Sequence, residues 1–354
     1  MKLRFYTATP FNVVQGSGTF SGLNSLVNGL RAAGATVEVI GPRSRLPNFT
    51  AERYLFNRWI TTLDRSGCDV TIGYDLDGYR LAGSDGPPHV AAVKGVIADE
   101  LIHERGVNRV LLGIQSRWER RHVQQANRLT TSSSYSAERI ASLYGPCAPV
   151  HVIPEPINLE LWNDSFRLNP AGPDPRRFTI LCVCRFFPRK RVNMLLRAVA
   201  LARHSIGNLQ LRIVGDGAEG IRLRALAHEL DLDGVVHWLG NTEASQLAVE
   251  YQQCDAFCLP SVQEGFGVVF LEAMAAAKPI VAVRAAAAPE VVPHALLAAP
   301  DSPASLAEQF TRLATDPALR AAIGQEGFAR VRQFDQPVVA AAFLCCSAAD
   351  TGSA

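Results

Sequence analysis

Residues 256–283 read AFCLPSVQEGFGVVFLEAMAAAKPIVAV. The opening AFCLP predicts a strand that Pro260 and Ser261 leave, VVFLEAMAAA predicts a helix starting near Gly267, and PIVAV predicts the next strand. Strand, helix and strand in that order are a βαβ unit, the building block of a parallel sheet. The same alternation runs outward in both directions. Strand-like runs upstream are KLRFYTA, TVEVIG, DVTIGY, HVAAVKG, RLTTSS and VHVIPE, and the second half adds FTILCVC, LQLRIVG and VVHWLG. Helical segments lie between them: Leu23, Leu26, Val27, Leu30 and Ala33 share one face, and Gly34 follows as a stop. The expectation is an α/β chain of two doubly wound, Rossmann-like domains.

The stretch NDSFRLNPAGPDPRR, residues 163–177, is broken by proline and glycine, shows no apolar period and reads as a linker. It divides the chain into an N-terminal domain over 1–165, a C-terminal domain over 166–335 and a helical tail over 336–354. The tail segment QPVVAAAFLCCSAA is apolar enough to pack on a domain surface. With 354 residues, 48% of them hydrophobic, and no apolar run of spanning length, the chain reads as a soluble cytoplasmic protein. Eight cysteines at irregular spacing include no pair of CxxC motifs, so neither a zinc site nor a disulfide framework is expected. A net charge of +2 gives no footprint for nucleic acid.

In open parallel sheets ligands bind beyond the carboxyl ends of the strands, so the informative residues should follow strands. After TILCVC come Arg185, Arg189, Lys190 and Arg191, read as crowding the first turn of an amphipathic helix without an acid among them. Cations are misplaced at a helix N-terminus unless an anion such as a diphosphate joins them. Gly215, Asp216 and Gly217 sit at the next strand-to-helix junction, where glycine permits either a ligand's close approach or a tight turn. Glu264 falls in the loop before the helix of the opening stretch, followed by Gly265, Phe266 and Gly267, and Glu272 falls in its second turn. A carboxylate beside a diphosphate would repel it, so this pair suits hydroxyl groups, for which an ionised carboxylate is a strong acceptor. A nucleotide sugar offers both chemistries.

Taken together, Arg185 and Lys190 as R-x4-K, the Gly215-Asp216-Gly217 turn, Glu264 and Glu272 as E-x7-E within LPS..EGFG...LEAMA..KP, and Glu290 in APEVV resemble the GT-B glycosyltransferases of family four. The resemblance is strong over residues 178–293 and looser before them. It implies two Rossmann-like domains facing a central cleft and transfer of a hexose from a UDP- or GDP-linked donor with retained anomeric configuration. It implies Glu272 on the ribose, Glu264 on the donor sugar, Arg185 and Lys190 on the diphosphate, and the Phe266–Gly267 backbone against the donor. No further cofactor or metal is called for. The N-terminal domain would take a sugar, lipid-linked or small-molecule acceptor, and peripheral association with the inner face of the membrane is compatible with the family. Its glycine-rich QGSGTFSG, residues 15–22, is expected as a loop bringing Gly16 and Gly18 to the donor phosphate.

The chain also departs from the family. Where members carry a histidine near the reacting carbon, it has Lys94, which could stabilise the leaving group. His89 and His103 nearby read as structural. Asp99 and Glu100 read as helix caps or acceptor contacts, and Asp75 and Asp77 as an acceptor-side contact or turn rather than a metal-binding D-x-D. Two other readings stay open: a sugar-nucleotide epimerase of the same architecture, and a non-catalytic nucleotide-sugar-binding protein.

Overall fold

A computed structural model describes residues 1–10 and 13–348. The chain divides into two units, Met1–Pro156 with Gln336–Ala354, and Ile157–Asp335. Each is built on a six-stranded, wholly parallel sheet.

The first unit opens with β1 (Lys2–Tyr6), α1 (Val13–Ala32), β2 (Thr36–Ile40) and α2 (Phe49–Trp59). It continues with β3 (Val70–Tyr74), β4 (His89–Val93), α3 (Ile97–Glu100), α4 (Gly106–Gln125), β5 (Arg128–Thr131), α5 (Ser134–Tyr144) and β6 (Val150–Val152). Its strand order is β2-β1-β3-β4-β5-β6. β3 and β4 are buried along their whole length, as strands covered by helices on both faces must be. The face of α1 formed by Leu23, Leu26, Val27 and Leu30 is buried, whereas Ala33 is exposed, and Gly34 ends the helix region with φ +86°.

The glycine-rich residues 15–22 were expected as a loop, but α1 already spans them, so Gly16 and Gly18 belong to its first turns. Each interior glycine costs up to about 1 kcal/mol relative to alanine. The buried face from Leu23 to Leu30 supplies the nucleus from which the helix extends backward one bond per residue. Gly22 has a separate reason to lack a side chain: a Cβ there would lie 2.2 Å from Glu155 Oε2.

The second unit runs α6 (Leu159–Leu168), β7 (Phe178–Val183), α7 (Val192–Ala202), β8 (Leu209–Val214), α8 (Gly220–Glu229) and β9 (Val236–Gly240). It continues α9 (Ala244–Gln253), β10 (Ala256–Leu259), α10 (Val268–Ala275), β11 (Ile280–Val283), α11 (Ala288–Val291), β12 (Leu296–Ala298), α12 (Pro303–Thr315) and α13 (Pro317–Arg330). Its strand order is β12-β11-β10-β7-β8-β9, and β12 is a strand the sequence reading did not anticipate.

The expected linker is also partly helix. Residues 159–168 form α6, capped by the Asn158 side chain, which accepts from Leu161 N at 2.9 Å, and the unit boundary lies at Pro156 rather than near 165. Two aromatics one turn apart were too short a period to register. Trp162 packs on Phe166 at 5.5 Å and edge-on to Tyr251 of α9 at 5.7 Å between ring centroids, which anchors the helix.

After Asp335 the chain returns to the first unit as α14 (Gln336–Ala348). Phe343 stacks on Phe5 of β1 at 5.9 Å, and Arg128 donates to the carbonyls of Cys346 and Ser347 at 2.9 and 2.7 Å. A Cβ on Gly29 of α1 would lie 2.7 Å from Gln336 Cγ, so that glycine lets α14 approach closely. The eight cysteines are all free thiols; Cys182, Cys254 and Cys258 are buried and Cys345 is exposed.

Candidate functional site

In the second sheet, successive connections run β7-β8-β9 toward one edge and β10-β11-β12 toward the other, so the order reverses between β7 and β10. These two strands are hydrogen-bonded neighbours, with Ala256 opposite Ile180 and Phe257 opposite Leu181. Loops leaving the carboxyl ends of two such strands mark the usual ligand position in a doubly wound sheet. One loop carries Arg185 to Arg191 and the other Ser261 to Gly267.

The basic loop is not the first turn of the long helix. Pro188–Lys190 form a 3-10 turn, Arg191 takes a left-handed conformation with φ +53°, and only then does α7 begin at Val192. The two loops are stitched together by backbone. Val262 N donates to the Arg189 carbonyl at 3.0 Å, and Ser261 Oγ donates to the same carbonyl at 3.2 Å. Lys190 then reaches across to form an ion pair with Glu264 Oε1, both side chains being largely buried. Burial by itself would raise the Glu264 carboxyl, but Lys190, Arg189 and the Ser261 hydroxyl outweigh it and hold the group below its ordinary value. Lys190 and Glu264, expected to serve different parts of a ligand, therefore form one unit. An ammonium has three donors and a carboxylate two oxygens, so each retains capacity for a further partner.

Beyond Glu264 and Gly265, Phe266 is buried and packs edge-on to Phe334 at 5.5 Å. Gly267, at φ +88°, is the N-cap of α10 and brings no side chain to the helix's first amides. A Cβ there would lie 2.7 Å from the Phe270 ring. Glu272, half-buried in the second turn, accepts from the Tyr251 hydroxyl at 2.8 Å. Burial pushes its carboxyl up to about 7 despite that bond, so near neutrality it titrates. Tyr251 was not anticipated, because its position on α9 gives no sequence signal that it meets α10.

The Gly215-Asp216-Gly217 turn has a packing explanation. Gly215 has φ +119°, and a Cβ would lie 2.0 Å from the Cys184 carbonyl oxygen; at Gly217 one would lie 2.7 Å from Phe186 N. Phe186 N also donates to the Asp216 carbonyl at 3.0 Å. These glycines thus seat the loop that carries Arg185 and Lys190, while Asp216 is exposed and accepts from Gly217 N at 2.8 Å. Glu290 lies on α11, where its carbonyl accepts from Arg330.

The candidates of the first unit are engaged with one another. Lys94, just past β4, forms an ion pair with Glu155 Oε1 at 3.0 Å, each side chain under 10% exposed, and its ammonium lies 5.8 Å from the centre of the Tyr74 ring. Glu155 in VIPEPIN was not singled out in the sequence. Asp77 is wholly buried: Ala8 N at 2.6 Å and Arg53 at 3.3 Å bind Oδ2, and Asn57 Nδ2 binds Oδ1 at 3.0 Å. Such a carboxylate organises the turn and is closed to an acceptor. Asp75, at φ +56°, accepts from Lys94 N at 3.0 Å, and burial pushes its carboxyl up to about 6 against the opposing effect of Arg53. Asp99 does not cap α3; it accepts from Tyr135 Oη and Arg139, both at 2.7 Å, and Glu100 lies beside Gly95. His89 is structural: its Nε2 lies 2.8 Å from His122 Nε2, and burial lowers both rings' pKa values, His122 to about 4. Among the described residues no group of three or more His, Cys, Asp or Glu is placed to hold a metal ion.

The two parallel, doubly wound units define the GT-B class of architecture, and solved structures share it. Sucrose-phosphate synthase from Thermosynechococcus elongatus superposes with a TM-score of 0.81 at 21% identity, covering 97% of each chain. Anabaena HepE in complex with UDP and glucose gives 0.74 at 19% identity, covering 97% of this chain and 98% of that one. Residues 167–330 match the family model described as Glycosyl transferases group 1. Among curated relatives, the GDP-mannose-dependent alpha-(1-6)-phosphatidylinositol monomannoside mannosyltransferase of Mycobacterium tuberculosis is 33% identical over 181 residues, 47% of this chain and 46% of that protein. The match thus spans about half the length of that relative.

Proposed function

We infer that this protein transfers a hexose from a UDP- or GDP-linked donor to an acceptor hydroxyl, with retention of anomeric configuration. The observation that supports the reading is the Lys190–Glu264 ion pair, which joins the loops leaving β7 and β10 where the strand order reverses, with a glycine at the start of α10. The family match and the mannosyltransferase relative support it, and nothing in the family description favours an epimerase. In this reading the spare ammonium donors of Lys190, with Arg185 and the α10 amides, take the diphosphate. They stabilise the charge that develops on it as the bond to the sugar carbon breaks. The free capacity of Glu264 takes a sugar hydroxyl, and Glu272 takes the ribose hydroxyls. Arg185, Lys190, Glu264 and Lys94 are the catalytic groups of this reading. The acceptor, a sugar, a small molecule or a lipid-linked glycan, belongs to the first unit, with peripheral residence at the inner face of the membrane.

The test is thermal unfolding against a panel of UDP, GDP, ADP and their hexose conjugates. A ligand at ~100 times its dissociation constant stabilises by about 2.7 kcal/mol, a shift of a few degrees. One base should shift the protein selectively, and Lys190→Ala should lose the shift. A panel without effect removes the donor site.

A further inference from the structure

Three thiols gather where β7 runs out. Cys182, in β7, is fully buried, and Cys184, two residues on and just past the strand's end, is half-buried. Positions i and i+2 of an extended chain point the same way, and the two sulfurs lie 3.9 Å apart, within reach of an S–H hydrogen bond. Cys258 of β10 is buried and stands one step beyond Phe257, which faces Leu181, so it is level with Cys182. The bond to Cys184 and then burial hold the Cys182 pKa well above its ordinary value, and burial raises that of Cys258. Both keep their protons, so the Cys182 S–H donates to the Cys184 sulfur. Buried thiols are ordinary core residues, but a half-buried thiol backed by a donor is one that an oxidant can reach.

Cys184 is also tied to the basic loop that follows it. Its N–H donates to the Val214 carbonyl at 3.1 Å, its own carbonyl is the group against which Gly215 has no room for a Cβ, and Arg185 is the next residue. Val183, between the two cysteines, pairs with Val214 of β8. In extended backbone two residues rise about 6.6 Å, close to the outer limit of about 6.8 Å between the Cα atoms of a disulfide. Joining the two sulfurs therefore draws Cys184 back toward Cys182. The loop from Arg185 to Lys190 must move with it, or the contacts to Val214 and Gly215 must break.

We propose that Cys182 and Cys184 form a peroxide-sensitive thiol pair whose disulfide weakens nucleotide binding at the basic loop. The Cys184 sulfur, as thiolate, attacks hydrogen peroxide; the O–O bond breaks, a sulfenic acid forms, and the hydroxide that leaves takes up the thiol's proton as water. The Cys182 sulfur then attacks the Cys184 sulfur, the S–S bond forms, the S–O bond breaks, and the hydroxyl departs with the Cys182 proton as a second water. Two thiols lose two electrons and one peroxide gains them. The oxidation stands by itself, whereas its effect on binding rests on the donor-site reading. The experiment treats the reduced full chain with hydrogen peroxide, alkylates it with iodoacetamide and digests it with trypsin. Cleavage after Arg177 and Arg185 releases both cysteines in one peptide, FTILCVCR, residues 178–185. That peptide should emerge unalkylated and lighter by two hydrogens, and dithiothreitol before alkylation should restore two alkylated thiols. Cys184→Ser and Cys182→Ala should each abolish the bridge, with thermal midpoints confirming that both fold. The nucleotide-induced thermal shift should be lost when the wild type is oxidised, return with dithiothreitol and survive peroxide in Cys184→Ser. Cys345, exposed on α14, remains in every variant as the control for thiol damage elsewhere. The proposal is overturned if both thiols of FTILCVCR stay alkylated, if Cys184 goes on to sulfinic acid without a bridge, or if Cys182 links to Cys258 instead. A bridge that leaves the nucleotide shift intact overturns the effect on binding. A reduced protein without any nucleotide shift sinks the donor-site reading, while the mass of the peptide still decides the bridge, so the two fail separately.

Discussion

If Glu272 holds the donor ribose as proposed, donor binding is pH-dependent in a direction and size that can be worked out. Its carboxyl is raised to about 7 by burial, and the Tyr251 hydroxyl only partly offsets that effect. Ribose hydroxyls donate hydrogen bonds, so the form that holds them is the carboxylate, and binding must draw on the ionised fraction of the free protein. With a free-state pKa of about 7, roughly one carboxyl in eleven is ionised at pH 6 and ten in eleven at pH 8, a tenfold change in apparent dissociation constant or about 1.4 kcal/mol. Affinity should therefore tighten as pH rises, with protons released on binding. The assay is isothermal titration calorimetry with an intact nucleotide sugar, whose phosphates stay ionised throughout, at pH 6, 7 and 8 and in two buffers of different ionisation enthalpy. Glu272→Gln should bind more weakly at pH 8 and show no pH dependence. A flat wild-type profile, or the same slope in the glutamine variant, would refute the assignment of Glu272 to the donor.

Two further outcomes concern the folded state. Lys94→Met strands a buried Glu155 and should lower stability by about 3–5 kcal/mol in urea unfolding, with the nucleotide-induced shift retained; adding Glu155→Gln should restore most of the loss, and a single variant as stable as the wild type would show the ion pair to be inconsequential. Gly215→Ala forces a Cβ to 2.0 Å from the Cys184 carbonyl oxygen and should cost about 2–4 kcal/mol. Gly234→Ala, also at positive φ but with open space around it, should cost about 1 kcal/mol, and equal losses at the two sites would mean that packing against the basic loop is not what requires Gly215.

Much of the second unit was legible in the residues. AFCLP and PIVAV are β10 and β11, Gly267 ends the loop before α10, and Glu272 falls in the second turn of that helix. These features are local, because apolar periodicity and glycine punctuation follow from the few residues on either side. The misreadings came where local signals competed with tertiary contacts. Residues 15–22 look like a loop on glycine content, yet α1 is held by the apolar face that follows them. Residues 163–168 look like a linker, yet Trp162 finds Tyr251.

The sequence by itself determined the alternating α/β architecture and which loops carry charge, since strand and helix periods and the order of residues along a loop are properties of neighbouring positions. Only the tertiary structure decided which charges meet. Lys190 pairs with Glu264, Lys94 with Glu155, and Asp77 with Arg53 and Asn57, across separations of 74, 61, 24 and 20 residues. Such pairings depend on the order in which parallel strands are laid side by side, and no local pattern encodes that order.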